Sequence, residues 1–427
     1  MTRLDEPRGL KIRQDATARL LLLTSRPDLS GPQLEEAEAL ASRITNWPIF
    51  IDIATRKFSV TYAHKALSRI RRDAIPEQYR EKMRNAARMT GLRTLKVAAA
   101  QVSFHKSCIQ PNEAQHAYVK GPALSLQHGR NFTERNCRDI DILIASHSFE
   151  NVALAAWKNG YRVALSIDPA KFAKSARDVK FLARFTDEVK IFSDDDIVIE
   201  LHRRLDKRSK VFNTKEALAN VETVELSGVR MNTLSPPLHF VYICYHHARH
   251  MWSHLHWLAD LDLMISAGCS REESLEFAHQ KGIKPTVEAA FAFHELISRP
   301  GQWSETKLNA GLEYDFLKGC LANLDGGLEL EYALKEGRYL HDFNLASQVS
   351  EAQRHAFTKT HWTEDFRPSL TQYMKRPYPT YMFWLYRIER AIIGVRDLVK
   401  RTLGIPVGYS AADSDASSNP DDDGSVR

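Results

Sequence analysis

The chain has 427 residues, 43% of them hydrophobic and 26% charged, with a formal net charge of +6 and a sequence pI near 8.9. That length allows two or three compact units with a substantial core, and the composition is ordinary for a soluble globular protein. The mild basic excess suits a phosphate-bearing partner, but it is nowhere concentrated as nucleic-acid-binding domains concentrate it, so nucleic acid is not the expected partner.

The N-terminus is polar and charged through Arg19 and then has only the run Leu20–Leu23, which is not how a secretory signal begins. The first hundred residues read as helices. Ser30-Gly31-Pro32 opens one, with Ser as N-cap and Pro in the first turn, and Tyr62 to Lys96 is rich in Arg and Ala. From about residue 97 to 210, short apolar runs alternate with helical segments, an α/β signature. His116 to Lys120 (HAYVK) predicts a strand leading into Gly121, and Pro122 to Gly129 a helix start. Asp139 to Ile144 (DIDILI) predicts a strand, followed by a helix capped by Ser148 and closed by Gly160, and by a second helix from about Pro169 to Phe185. Asp194-Asp195-Asp196 predicts a hairpin turn between Val189-Lys190-Ile191 and the strand Ile197 to His202 (IVIELH).

Ser235-Pro236-Pro237 opens a helical region whose first helix is expected to run unbroken from Leu238 to near Gly268. Tyr378 to Leu403 is a basic amphipathic helix with interfacial aromatics. It suits an anionic membrane surface, giving a peripheral contact through 378–403, or the core of the helical domain. Core docking is favoured, because Glu389 and Asp397 interrupt the basic face. After Gly408 the tail holds almost no apolar residues and is expected to be disordered. The five cysteines are scattered and never spaced C-x-x-C, which argues against a disulfide framework or zinc ribbon and for a reducing compartment. With no signal and no bilayer-length apolar stretch, a cytoplasmic protein is expected.

Residues two apart on a strand face the same side, so Asp139 and Asp141 project together. Two carboxylates so close repel unless a cation lies between them, and hard cations bind through one or two carboxylates plus substrate phosphates. Taken alone, such a triplet more often lines the solvated face of an edge strand. Its upstream context shifts the balance: Lys120-Gly121 enters a helix, whose N-terminal N–H groups attract an anion, and Arg135 and Arg138 precede the acids. Glu200 is the expected third acid, ahead of Asp187 and Asp194 to Asp196, because a carboxylate inside an aliphatic strand calls for a cation. The alternative is pairing with a nearby arginine or exposure to water.

The string VKGPALSLQHGRNFTERNCRDIDILI, Val119 to Ile144, resembles the signature of the uncharacterised bacterial nucleotidyltransferase-like family of the polymerase-β-type superfamily. Arg135, Asp139 and Asp141 fall on its Arg and Asp-x-Asp positions. Glu200-Leu201-His202 matches its later strand, and His246, His250, Trp252, Leu255, Trp257 and Asp260 match its histidine- and tryptophan-rich helix. Where the superfamily usually has Gly-Ser, this chain has Lys120-Gly121. The resemblance covers roughly residues 95 to 265. Together with the helical readings on either side and the tail, it gives a small mixed-sheet nucleotidyltransferase core at 96–230, flanked by an N-terminal helical region at 1–95, a C-terminal helical bundle at 231–407 and the tail at 408–427, an α/β plus all-α fold. The implied reaction moves a nucleotidyl group from a nucleoside triphosphate to an unidentified acceptor. Asp139, Asp141 and Glu200 would hold magnesium or manganese, and Lys120, Gly121 and Arg135 would meet the phosphates. His202, His246 and His250 are candidates to support the ligands. The alternatives are an inactive nucleotide-binding or regulatory protein of the same fold, and a kinase-like phosphotransferase. His246, His250 and His254 stand at i, i+4 and i+8 on the expected helix. Packing is favoured for them over substrate contact or a separate metal site.

Overall fold

The computed structural model of the protein describes residues 16–165, 171–206, 211–299, 311–324 and 367–403. In chain order, the N-terminal helices are α1 (Ala16–Thr24), α2 (Gly31–Ala41), α3 (Trp47–Arg56), α4 (Val60–Leu67) and α5 (Glu77–Phe104). Next come β1 (His116–Tyr118), α6 (Gly121–Gln127), β2 (Asp139–Ile144), α7 (Ser146–Lys158), β3 (Arg162–Val163), α8 (Ala176–Phe185), β4 (Glu188–Phe192), β5 (Val198–His202) and α9 (Thr214–Ala219). A strand pair, β6 (Val221–Leu226) and β7 (Val229–Leu234), precedes α10 (Pro236–Arg249), α11 (His256–Ser266), α12 (Arg271–Gln280), α13 (Lys284–Ser298) and α14 (Leu312–Leu324). The described chain ends with α15 (Leu370–Lys375) and α16 (Trp384–Thr402). The α/β-plus-helical class read from the sequence is the class of the structure.

The residues gather into two compact units. The first takes Met1–Ala98, Lys120–Arg138 and Glu222–Ser350, and the second takes Ala99–Val119, Asp139–Val221 and Glu351–Arg427. The chain thus crosses from one to the other near residues 98 and 221 and also at Lys120 and Asp139, so neither unit is one continuous stretch. The tail 408–427 lies outside the described residues.

In the first unit, α2 opens as the sequence predicts, with the Gln33 side chain accepting from Ser30 N–H at 2.9 Å and Pro in the first turn. The hairpin of β6 and β7 turns on Ser227 and Gly228, both at positive φ, the conformation a two-residue loop needs to match strand twist. The single helix expected from Leu238 to Gly268 is instead two. α10 ends at Arg249, Met251 and Trp252 take left-handed backbone at φ 54° and 52°, and α11 starts at His256. The break is held from both sides. The Leu255 and His256 N–H groups, which a continuous helix would bond internally, donate to the Lys57 carbonyl at 3.0 and 3.4 Å. Trp252 is fully buried against His247, Phe293 and Phe316. Gly319 of α14 lies so close under Met251 that a Cβ there would meet its carbonyl oxygen at 2.9 Å. His254 is therefore not in helical register with His246 and His250.

In the second unit, five strands run in the order β3-β4-β5-β2-β1. β2 and β5 are parallel, and the other neighbours are antiparallel. The turn expected at Asp194 to Asp196 joins β4 to β5, with Asp196 at φ 58°. α7 starts at Ser146 rather than at a Ser148 cap, and Ser148 is buried within it. α8 starts at Ala176, not near Pro169, because the Ser175 and Asp178 side chains cap it reciprocally. Among the described residues, core docking of the basic C-terminal helix is made at its start, and on a different surface from the one expected. Phe383 and Tyr386 are buried with Phe181 of α8 and Tyr373 of α15, in the second unit rather than in the helical bundle.

Candidate functional site

Strand register builds the site. Across the parallel pair, Asp141 lies opposite Glu200 and Leu143 opposite His202. Across the antiparallel pair, Lys190 lies opposite Glu200 and Glu188 opposite His202. Paired residues share a face, so Asp141, Glu200 and Lys190 form one cross-strand row, and His202 and Glu188 the next. The ligand atoms of Asp141, Glu200 and His202 all lie within 4.8 Å of one another. Asp139, opposite Val198, shares that face but stands outside the group of three.

Positive groups hold the acids together. His202 Nε2 donates to Asp141 Oδ1 at 3.0 Å and lies 3.5 Å from Glu200 Oε2, while its Nδ1 is 3.8 Å from Glu188. Lys190 Nζ reaches Glu200 Oε1 at 2.8 Å. The Asp141 and Glu200 side chains are only 4% and 6% exposed, which makes this neutralisation necessary. Burial alone would raise the Glu200 pKa, but Lys190 and His202 hold it well below the usual carboxylate range. Burial likewise disfavours a charged His202, yet hydrogen bonds to Asp141 and Glu200, reinforced by Glu188, push its pKa up to about 10. The imidazole is a cation near neutral pH.

These residues fit a divalent cation. Two carboxylates are drawn together on one face, a third at Glu188 adds negative charge, and the charges already bound there, His202 and Lys190, are ones a metal ion can replace. Magnesium would take the oxygens and leave His202 as a donor to Asp141, whereas manganese accepts an imidazole as well.

The other expected site residues belong to the first unit. Lys120 is the N-cap of α6 in extended conformation, and Gly121 follows at φ 62°, a backbone that favours glycine. Arg135, expected at a phosphate, is buried with 4% exposure and grips Asp260 with two bonds, Nε to Oδ1 at 2.7 Å and Nη2 to Oδ2 at 2.9 Å. His247 Nε2 lies 3.3 Å from the same carboxylate. Burial would raise the Asp260 pKa, but Arg135 and His247 hold it far below the ordinary range. Burial, opposed by Asp260, pushes His247 down to about 4. The imidazoles of His246, His247, His250, His254 and His256 surround Trp257, with the His247 ring stacked on it at 4.5 Å. Burial, and then the nearby Lys120 charge, drives His246 well below its usual value.

Sequence reasoning missed Lys190, Glu188 and His247. The first two were within reach: counting outward from the Asp194–Asp196 turn pairs Lys190 with Glu200 and Glu188 with His202. Asp260, an acid in the apolar helix HWLADLDLMIS, called for a buried cation in the way Glu200 did.

A mixed sheet with acids from two neighbouring strands on one face, joined by helices, is the framework that the Asp-x-Asp and Glu-Leu-His motifs imply. The chain belongs to an uncharacterised nucleotidyltransferase family, whose model matches residues 44–297, more than half of its length. No curated protein matches the chain.

Proposed function

We propose that this protein is a metal-dependent nucleotidyltransferase. It joins the nucleotidyl group of a nucleoside triphosphate to an acceptor hydroxyl, phosphate or amine and releases pyrophosphate. The observation that carries this reading is the register of β2 against β5, which sets Asp141 beside Glu200 with His202 bonded to Asp141. Asp141 and Glu200 would hold magnesium or manganese, with Asp139 on the same face to share it with the triphosphate. A bound divalent cation would supply positive charge to the phosphates and acidity to an acceptor hydroxyl. His202 orients Asp141 and gives up its proton if its nitrogen becomes a ligand. Lys190, displaced from Glu200, becomes a cation for phosphate. The phosphate role that the sequence motif gives Arg135 is dropped, since Asp260 occupies its guanidinium.

The neutralisation of Glu200 by Lys190 and of Asp141 by His202 favours a second reading, a protein that binds nucleotide without turning it over. Calorimetric titration of ATP with and without magnesium, read beside pyrophosphate release over a panel of acceptors, separates the two. Metal-dependent binding with pyrophosphate release supports transfer, and binding without it under any acceptor supports the second reading. Nucleoside diphosphate in place of pyrophosphate would indicate phosphotransfer.

A further inference from the structure

Beside the buried Phe383 and Tyr386, α16 leaves an apolar stripe in the open. Trp384, Ile388, Ile392, Val395, Val399 and Leu403 recur at helical spacing along one face, and each is at least 47% exposed, with Ile392 at 64%. The stripe runs most of a helix roughly 28 Å long at 1.5 Å per residue. Its root is fixed by the buried Phe383 and Tyr386, and the Tyr386 hydroxyl donates to the Arg376 carbonyl at 2.7 Å. Beside the root lies a cavity of about 360 Å³ lined by Arg184, Arg203, Arg204, Arg367 and Arg387, with Asp187 as its acid. Arg204 and Arg367 both bond Asp187. Arg203 Nε is buried with no hydrogen-bond partner among the described residues. Arg387 belongs to α16 itself, so apolar stripe and arginine cavity adjoin.

We propose that this face of the second unit docks on an anionic lipid surface, with the α16 stripe in the headgroup boundary and the arginine cavity taking a lipid phosphate. The chemistry of the face selects this occupant. Among the described residues no helix is long and apolar enough to cross a membrane, but an interfacial helix needs only one apolar face flanked by cations. Arg387 and Arg396 stand at the two margins of the stripe, and Glu389 is engaged by Tyr378 and Arg376. A second copy packed stripe to stripe about a two-fold axis would instead set one arginine-bearing margin against another.

The full chain is sedimented with vesicles of phosphatidylcholine, and of phosphatidylcholine mixed with phosphatidylglycerol. Binding to the mixed vesicles is expected to exceed binding to the neutral ones by about tenfold or more and to weaken with salt. Ile392→Asp combined with Val395→Asp, both at exposed positions, should abolish it while leaving the melting temperature unchanged. Arg387→Glu should lower it roughly tenfold. A blue shift of tryptophan emission on binding, lost in Trp384→Phe, should accompany insertion. Equal binding to both vesicles, no binding, or binding indifferent to the Asp pair overturns the proposal. So does a dimer seen by light scattering that the Asp pair disperses while vesicles capture nothing, which would assign the stripe to a second copy.

Discussion

The protein buries two clusters in which a carboxylate, an imidazole and a basic side chain meet, and they end in opposite states. In the helical unit, one carboxylate, Asp260, is matched by one guanidinium, Arg135, with both bonds made, and His247 is left neutral with its pKa pushed down to about 4. On the sheet, the carboxylates of Asp141, Glu200 and Glu188 gather around Lys190 and His202 among the described residues, and His202 is kept protonated, its pKa pushed up to about 10. A closed pair has no use for a further ion, whereas a cluster that borrows a proton to balance itself can exchange that proton for a metal. Burial is common to both, so the charge balance separates the structural cluster from the candidate site.

The largest effect expected from breaking this contrast is on activity. Asp141→Asn should reduce metal-dependent pyrophosphate release by on the order of a thousandfold. The sequence alone suggests that relieving repulsion between acids would leave stability level or higher. The His202 bond reverses that sign, and a loss of about 1–3 kcal/mol in denaturant unfolding is expected. In the other cluster, Arg135→Met should cost about 3–5 kcal/mol by stranding a buried carboxylate, and Asp260→Leu added to it should recover much of the loss. If Arg135→Met weakened nucleotide binding with no change in stability, Arg135 would be a phosphate ligand after all.

The two imidazoles should leave opposite signatures in stability against pH. His202 has a raised pKa in the folded state, so its contribution is complete below about 6.5 and is lost as pH rises toward 10. His247 has a lowered one, so its contribution is complete above about 6.5 and is lost as pH falls toward 4. Denaturant unfolding across pH should show His202→Gln flattening the alkaline limb and His247→Gln the acidic one. Limbs unchanged by these variants would mean that other groups set them. The smallest effect should come from Lys190→Met, which removes a competing cation and should tighten metal binding severalfold, read by calorimetry.

Alternation in DIDILI and IVIELH, and the aspartate turn between β4 and β5, made the sheet legible, because period and turn chemistry are local. The common face of Asp141 and Glu200 was foreseeable only as a condition, since strand order is set by long-range pairing. Two features were not legible. The break at Met251 and Trp252 depends on the Lys57 carbonyl and on Gly319, both far away in sequence. The role of Arg135 depends on Asp260, 125 residues later, although both positions lay on the motif. Local spacing records which side chains are present but not which opposite charge each will meet.

The most direct test of the central claim is manganese titration of the wild-type protein, followed by calorimetry in buffers of different ionisation enthalpy so that proton release is counted. One site is expected, whose occupation releases close to one proton and whose affinity falls steeply in both Asp141→Asn and Glu200→Gln. Proton release should vanish in His202→Gln. Manganese binding that is unchanged in both carboxylate variants would contradict the claim, and would make the sheet cluster as purely structural as the one around Asp260.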